Sequence, residues 1–411
     1  MKRLRINNVG PIDECIIELK SFNVITGKQS TGKSTIAKCL FFFLYIKDEL
    51  GRLMYEAHHP GVLKDRKEDS LNKRFKDTVS HVLEEIYGSD ETVIRQGSEM
   101  RMDYSESVYI QVSFNKAIGV SYSNKLRDFI KDLETREGSA LDRSFNDSIN
   151  KEINNIFEAD YSPVYIPAGR SLMTVIGSQF ELFYSTLNDE NKGLIDLCTR
   201  KFFETVMRIR PLYSKGLSKL WKNREVLKED VKPYMSGVIN GDYYYSKGVE
   251  YLQLENGESI RVNMASSGQQ EALWIYNILL YYSVDSIKRF YIIEEPESNL
   301  FPESQQLITK FLGFIANLGN PTLINTHSPY VLGELNNMIY AGGIKGRVRK
   351  VREIIEKECQ LDFDSTCGLF VEGGKVKDCM DYEIKQIDNS ELDAISSVIN
   401  EEFDRLVAIG R

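Results

Sequence analysis

The chain has 411 residues, of which 42% are hydrophobic and 27% charged, so a folded core is expected and wholesale disorder is excluded. The formal net charge of −8 excludes a protein that coats nucleic acid with its whole surface, and any such contact requires a local basic patch. The six cysteines include no C-x-x-C pair, which argues against a zinc ribbon and indicates reduced thiols.

The sequence also bears on localisation. The first ten residues are basic and then polar, a pattern unlike a signal peptide. The longest apolar run, Cys39–Ile46, is too short to cross a bilayer. We therefore expect a cytoplasmic protein without a membrane partner.

Predicted strands and helices alternate along the chain. Short apolar or alternating runs predict strands at 4–6, 16–19, 22–25, between 92 and 122, at 163–167, as a hairpin over 243–262, and at 290–293 and 322–325. Helical spacing covers 34 to about 50, 124–159, 171 to about 232, and the stretches on both sides of the strand at 290–293. This order predicts the α/β class.

The strongest motif follows the strand at 22–25. The string GKQSTGKS matches G-x-x-x-x-G-K-[ST] between an apolar strand and a helix, which is the context of a phosphate-binding loop (P-loop). Lys33 would neutralise nucleotide phosphates, and the Ser34 hydroxyl would coordinate Mg²⁺. The nucleotide-binding residues predicted here are Gly27, Lys28, Gln29, Ser30, Thr31, Gly32, Lys33, Ser34 and Thr35.

A second group of candidate residues ends a buried strand. The string RFYIIEEP places Glu294 and Glu295 directly after apolar residues. Two carboxylates there suit one group that holds the metal through water and a second that polarises the attacking water. We assign the metal to Glu294 and the general base to Glu295.

Two weaker signals lie on either side of this strand. Ser266, Ser267 and Gly268 precede an apolar helix, where they offer an anion site but equally form an ordinary helix cap. His327 closes a strand within reach of a γ-phosphate, although a lone histidine in that position is usually a loop residue. Taken singly, each signal fits a structural role better, and only their combination with the other motifs favours function.

The motifs occur in the order P-loop, SSGQQE, IIEEPE, SNL and THSP, which resembles the heads of ABC-type ATPases, specifically their soluble RecF-like, SMC-like and OLD-like branch. SSGQQ resembles the signature motif, with Ala265 and Ser267 in place of the usual Leu and first Gly. IIEEPE resembles Walker B, with Glu294 in place of the usual Asp. Residues 298–300 resemble the D-loop, and His327 the switch histidine.

The resemblance implies an ATPase that uses ATP and Mg²⁺ and forms a homodimer or a higher oligomer, with ATP between the P-loop of one subunit and the signature motif of the other. The residues it assigns are Ser266, Ser267, Gly268 and Gln269 for ATP in trans, Glu295 and His327 for catalysis, and Ser34 and Glu294 for the metal. A Q-loop glutamine is also expected, and Gln96 and Gln111 both fit.

The predicted fold is an ABC-ATPase-like head, a P-loop NTPase with a mixed sheet and helical insertions. Residues 1–122 form its first half and 241–345 its second. A mainly helical insertion at 123–240 contains the strand at 163–167, which returns to the head. Residues 346–411 form a C-terminal α/β tail.

Two features of related ATPases are missing from the sequence, which excludes some of the families that the motifs resemble. The insertions show no sustained heptads of the kind that SMC arms require. Residues 369–373 resemble the opening of the Toprim nuclease domain of OLD-family proteins, but the nearby Asp-x-Asp lies upstream, so we interpret Glu372 as a hairpin residue and predict no intrinsic nuclease. The strings NNVGPI, SSGQQEALW and EEPESNLFPE resemble those of stand-alone anti-phage ATPases such as PARIS AriA and Septu PtuA. By analogy we predict slow ATP hydrolysis by a sensor or scaffold that controls a separate nuclease or toxin.

The alternative is a RecF-like, DNA-binding repair ATPase. Two basic runs are candidates for nucleic acid, Arg208–Lys228 with interleaved aromatics and Lys345–Arg352 without them. The first run also fits a solvated helix face, and the second a basic strand or loop.

Overall fold

The structure is a computed structural model that describes residues 2–59, 70–88, 93–176, 195–214, 225–254, 256–283, 287–346, 348–390 and 400–406, with residues 186 and 398. Thirteen of its strands are, in chain order, β1 (Arg3–Val9), β2 (Ile12–Glu18), β3 (Phe22–Gly27), β4 (Ile94–Asp103), β5 (Tyr109–Phe114), β6 (Ile118–Tyr122), β7 (Tyr161–Ile166), β8 (Asp242–Ser246), β9 (Val249–Gln253), β10 (Ser259–Arg261), β11 (Lys288–Glu294), β12 (Thr322–Asn325) and β13 (Thr366–Glu372). Three short strands follow, β14 (Lys375–Asp378), β15 (Met380–Asp381) and β16 (Gln386–Ile387).

Eleven of these strands form one mixed sheet in the order β6-β5-β4-β1-β2-β14-β13-β3-β12-β11-β7. Its parallel part runs from β13 through β3, β12 and β11 to β7. Its antiparallel part joins β2, β1, β4, β5 and β6. The carboxyl ends of parallel strands meet at one edge, so β3, β11 and β12 deliver their last residues to the same place.

The helices cover both faces of the sheet. They are α1 (Lys33–His58), α2 (Leu71–Tyr87), α3 (Asn124–Glu134), α4 (Arg143–Ile156), α5 (Leu172–Ile176), α6 (Leu197–Ile209), α7 (Glu225–Ile239), α8 (Ser267–Ser283), α9 (Pro302–Asn317), α10 (Pro329–Gly343) and α11 (Val348–Arg352). Short 3₁₀ turns lie at Arg210–Tyr213, Val262–Met264, Lys357–Cys359 and Phe363–Ser365.

Two hydrophobic cores lie on opposite faces of the parallel strands. Ile292 and Leu323 pack with α1 on one face, while Ile293 and Ile324 pack with α8, α9 and α10 on the other. Because both faces of the sheet are covered, the central strands are continuous runs of apolar residues and do not alternate between apolar and polar residues.

The predicted fold class, an α/β head with a mixed sheet and helical insertions, is confirmed. Helix α1 extends to His58 rather than to about residue 50, and the hairpin at 243–262 has a third strand, β10. Glu372 lies in the β13–β14 hairpin, as interpreted from the sequence. The tail at 346–411 contributes β13 and β14 to the main sheet, while the proposed domain boundaries stay a prediction.

The second basic run, Lys345–Arg352, was expected to be a strand or loop. Instead, its residues Val348–Arg352 form the short helix α11. Of the first run, residues 215–224 lie outside the described residues, as do 391–397 near the C-terminus. Within the described part of the chain, the helices are all too short or too polar to cross a membrane.

Candidate active site

The P-loop connects β3 to α1 at the carboxyl edge of the parallel strands. Gly27 has φ +141°, and a Cβ there would lie 2.3 Å from the carbonyl oxygen of Val371 in β13, so only glycine fits. The Lys33 side chain folds back into the loop, where its Nζ donates to the carbonyls of Gly27 (3.0 Å) and Lys28 (2.6 Å). The ammonium therefore already lies inside the loop that would surround the phosphates. Burial lowers the pKa of Lys33, although nearby carboxylates oppose that shift.

Glu294 and Asn325 are neighbours across β11 and β12 at the same edge. Both residues follow apolar residues of the α1-side core at a spacing of two, which places their side chains on the face where α1 begins. Glu294 Oε2 accepts a hydrogen bond from the backbone N–H of Ala168 at 3.2 Å. Its Oε1 is buried without a hydrogen bond of normal length to any described residue, and the Tyr165 phenol lies close by.

A buried carboxylate oxygen without a hydrogen bond fits a site for a hydrated divalent cation. The Asn325 amide, 2% exposed, also lacks hydrogen-bond partners within the described residues, so a second polar group is available beside Glu294. Ser34, exposed in the first turn of α1, would supply the hydroxyl. Mg²⁺ held there would neutralise charge on the nucleotide phosphates. The predicted metal role of Ser34 and Glu294 stays a prediction that this chemistry supports.

Glu295 directly follows β11 in a strained backbone conformation. Its φ of +42° lies in the left-handed region, which costs about 1–2 kcal/mol for a residue with a side chain. One carboxylate oxygen accepts from the Ser298 hydroxyl at 3.1 Å, and the other lies 3.5 Å from Nε2 of His327. The hydrogen bond with His327 is the main cause that lowers the pKa of Glu295. The carboxylate is therefore held ionised and half-exposed, as a base for water must be.

A third acid of the IIEEPE string holds the histidine in place. Glu297 is 9% exposed, and its Oε1 accepts from the Thr326 hydroxyl at 2.6 Å and from the backbone N–H of His327 at 2.8 Å. The loop after β12 is thus fixed to the turn after β11. Glu297 lies three residues after Glu294 in the sequence, but no sequence motif quoted above predicts a role for it.

The signature-like residues begin α8. Ser266 and Gln269 form a reciprocal cap, because the Gln269 N–H donates to the Ser266 hydroxyl while Gln269 Oε1 accepts from the Ser266 N–H and hydroxyl. Gly268 contacts the D-loop so closely that a Cβ would lie 2.5 Å from the Asn299 carbonyl oxygen. Ser266 and Ser267 remain exposed. The structure therefore brings the signature-like residues against residues 298–300 and leaves Ser266 and Ser267 exposed.

Arg170 connects these parts. It lies 1% exposed, four residues after β7. Its Nε donates to the backbone carbonyl of Glu271 in α8 at 2.9 Å, and its two terminal nitrogens donate to the carbonyls of Glu294 (2.8 Å) and Glu295 (2.9 Å). The Glu271 carboxylate lies 3.4 Å from the same Nε. Burial lowers the pKa of this guanidinium, and the surrounding carboxylates oppose that shift.

The structure thus brings Lys33, Glu294, Glu295 and His327 together at one edge of the sheet. The Q-loop question stays open, since Gln111 bonds to Glu99 and Arg101 on the outer strands, and Gln96 lies on β4 near Asn8. Sequence reasoning missed Asn325 and Arg170. The sequence signal for Asn325 is that a polar residue ends an apolar strand. The signal for Arg170 is an arginine three residues after the predicted strand at 163–167.

The pH dependence of hydrolysis tests the Glu295–His327 pair. His327→Ala removes the hydrogen-bond donor that stabilises the ionised carboxylate, so the pKa of Glu295 should rise. As the pH is lowered, Glu295 should then become protonated, and stop acting as a base, at a higher pH than in wild type. We expect the acid limb of the kcat profile, measured from about pH 4 to 8 at saturating Mg-ATP, to move upward in this variant. His81→Ala, which removes an exposed histidine of α2, is the matched control. An unchanged acid limb in His327→Ala would contradict the pairing.

Comparison with known proteins identifies the family. The AAA ATPase domain family matches residues 52–332, more than half of the chain, and this match begins after the P-loop. No curated protein matches the chain.

Three solved structures resemble the chain weakly. The SMC head domain from Thermotoga maritima has 10% identity and a TM-score of 0.41, and the match covers 92% of this chain and 97% of that one. A Smc head bound to the C-terminal winged-helix domain of ScpA has 12% identity, a TM-score of 0.43 and coverage of 92% and 95%. The Smc head bound to the C-terminal domain of ScpA from Pyrococcus furiosus has 11% identity, a TM-score of 0.42 and coverage of 92% and 96%. On the family match, which spans the Glu294, Glu295 and His327 motifs, the chain belongs to the AAA ATPase domain family.

Proposed function

We propose that this ATPase works as a homodimer that closes around ATP and acts as a sensor or scaffold for a separate effector protein, a nuclease or toxin, in anti-phage defence. In each site the P-loop of one copy would face Ser266, Ser267, Gly268 and Gln269 of the other. The observation that carries the dimer is the open, apolar surface beside the signature motif.

Two large apolar side chains flank the start of α8. Met264, two residues before Ser266, is 77% exposed, and Phe301, directly after the D-loop, is 74% exposed. Ser266, whose hydroxyl donates to Gln269, and Ser267 are both exposed residues at this helix start. Exposed apolar groups around a polar anion site favour a surface that a partner covers, and a second copy would bring the P-loop that this anion site lacks.

The effector is proposed to be a separate protein because Glu372, the residue that resembles a Toprim opening, has a structural position. It lies at the end of β13, and its carboxylate pairs with Lys28 of the P-loop at 3.0 Å. A carboxylate engaged with the ATP-binding loop is poorly placed to serve a second, nuclease site.

The experiment is a pull-down of tagged Glu295→Gln from the native host in Mg-ATP, with and without nuclease treatment. Because this variant is expected to bind ATP without turnover, it should retain a near-stoichiometric protein that survives nuclease. The matched control is Lys33→Ala, which should recover no such protein.

The competing outcome is nucleic acid without a companion protein. That result would overturn the effector proposal and support the RecF-like repair ATPase. Under that alternative, the exposed Arg349 and Lys350 of α11 are the described cations to neutralise first.

A further inference from the structure

Arg170 occupies an unusual position for a charged side chain. It is almost completely buried, yet it reaches four backbone carbonyls, those of Pro167, Glu271, Glu294 and Glu295. These acceptors belong to three segments that are far apart in sequence: the turn after β7, helix α8, and the turn after β11. An arginine side chain has five N–H donors in a fixed planar fork, and Arg170 directs them mainly to main-chain carbonyls.

Two of these acceptors flank the strained backbone of the candidate base. The carbonyls of Glu294 and Glu295 enclose the residue whose φ is +42°. Strained backbone persists only where surrounding contacts hold it, and Arg170 supplies two such contacts. The backbone of Glu295 is also held by the Asn325 carbonyl, which accepts from the Glu295 N–H at 2.9 Å, and by the Ser298 N–H, which donates to the Glu295 carbonyl at 3.1 Å. Arg170 is the side chain that joins this turn to the other two segments.

The remaining contacts reach the signature helix. Arg170 binds both the carbonyl and the carboxylate of Glu271, which lies in the first turns of α8, three residues after Gly268. The adjacent Gln270 is fixed from the same side, because its Oε1 accepts from the Thr174 hydroxyl at 2.6 Å. The Arg170 guanidinium therefore links the start of α8 to the turn that carries Glu295, in addition to the close contact of Gly268 with Asn299.

We propose that Arg170 is a positioning residue that locks the start of α8 to the Glu294–Glu295 turn, so that the general base is correctly directed only when the signature helix is in place. This inference rests on the proposed roles of Glu295 and of the signature motif. It does not require the effector or the defence role.

Lysine is the informative replacement. It keeps the positive charge and so leaves the Glu271 carboxylate compensated, but its single ammonium group lacks the planar fork that spans carbonyls of separate segments. We expect Arg170→Lys to lower kcat about tenfold or more while the equilibrium Kd for ATP changes less than about threefold. The affinity should hold because the P-loop and Lys33 are untouched.

Arg210 provides the matched control. It is equally buried, but it lies just after α6, where it pairs with Glu250 at 3.2 Å and lies against Met173 and Trp274, which belong to segments other than the Glu294–Glu295 turn. Arg210→Lys should lower the melting temperature to a similar extent and leave kcat of the folded enzyme within about threefold of wild type. Equal losses of kcat in both lysine variants, or an unchanged kcat in Arg170→Lys, would overturn the proposal.

Glu271→Gln covers the case in which Arg170→Lys fails to fold. It removes the ion pair but keeps the backbone acceptor of Glu271. The chain should fold because the carboxylates of Glu294, Glu295 and Glu297 still compensate the guanidinium. We expect kcat to fall with the Kd for ATP preserved, and an unchanged kcat would count against the lock. A different measurement separates this inference from the dimer. A monomeric Glu295→Gln protein in Mg-ATP, measured by light scattering, would reject the dimer. The kcat difference between Arg170→Lys and Arg210→Lys would still test the role of Arg170.

Discussion

Replacing Lys33 with alanine should abolish nucleotide binding. The ammonium lies inside the P-loop, between the carbonyls of Gly27 and Lys28, where it faces the cluster of Glu294, Glu295 and Glu297 from the loop that would surround the phosphates. Without it, anionic phosphates would meet an acidic site. We expect the affinity for ATP, measured by titration calorimetry with Mg²⁺ present, to fall at least about 100-fold, and hydrolysis to fall with it.

The control for this variant lies farther along the same helix. Lys38 pairs with Asp196 at 3.3 Å and does not contact the loop, so Lys38→Ala should bind ATP normally. Lys33→Ala itself should remain folded, because the two carbonyls lose a hydrogen bond each at a net cost of about 0.5–1.5 kcal/mol. ATP binding by a folded Lys33→Ala protein at wild-type affinity would show that the nucleotide binds elsewhere.

The elements that the sequence predicted well are those specified locally. The P-loop required only a strand, a turn and a helix that follow one another, and the structure has β3, the loop and α1 in that order. The end of α1 was predicted too early because the apolar run stops near residue 46. The helix continues through Arg52, which pairs with Glu49 and Glu56, and through Leu53 and Met54, which pack in the core.

Contacts between distant segments could not be read from the sequence. Strand β13 lies beside β3 and brings Val371 against Gly27, a pairing across more than three hundred residues that no local pattern signals. Arg170 is the same case, because its acceptors are carbonyls and any residue type provides a carbonyl. Asn325 could not be predicted because a single polar residue at a strand end is common. Its position beside Glu294 in the sheet is what makes it a candidate site residue.

Glu295→Gln should separate ATP binding from hydrolysis. Glutamine has the same shape and can still accept from Ser298, but it cannot take a proton from water. We expect kcat to fall about 10²- to 10⁴-fold, the range that a positioned general base contributes, while the affinity for ATP stays near that of wild type. Turnover under saturating Mg-ATP, together with the equilibrium Kd, measures both quantities. Near-equal rates in variant and wild type would remove Glu295 as the base.

A matched acid distinguishes loss of the base from loss of charge. Glu303 is exposed in the first turn of α9, eight residues after Glu295, so Glu303→Gln makes the same chemical change nearby without touching the site. It should hydrolyse ATP at the wild-type rate. A parallel loss of activity in Glu303→Gln would point to the electrostatic field of this region rather than to proton transfer.

The same variant tests the proposed dimer, because a site that holds ATP without hydrolysing it should keep two subunits together. Light scattering after size exclusion is expected to give a dimer for Glu295→Gln in Mg-ATP and a monomer without nucleotide. Phe301 is 74% exposed in one subunit. Adding Phe301→Asp should restore the monomer, since a charge would then occupy the apolar surface beside the D-loop. The double variant should still bind ATP in its own P-loop. If it instead stays dimeric, the subunits meet through another surface, and the signature motif of one copy does not reach the ATP of the other.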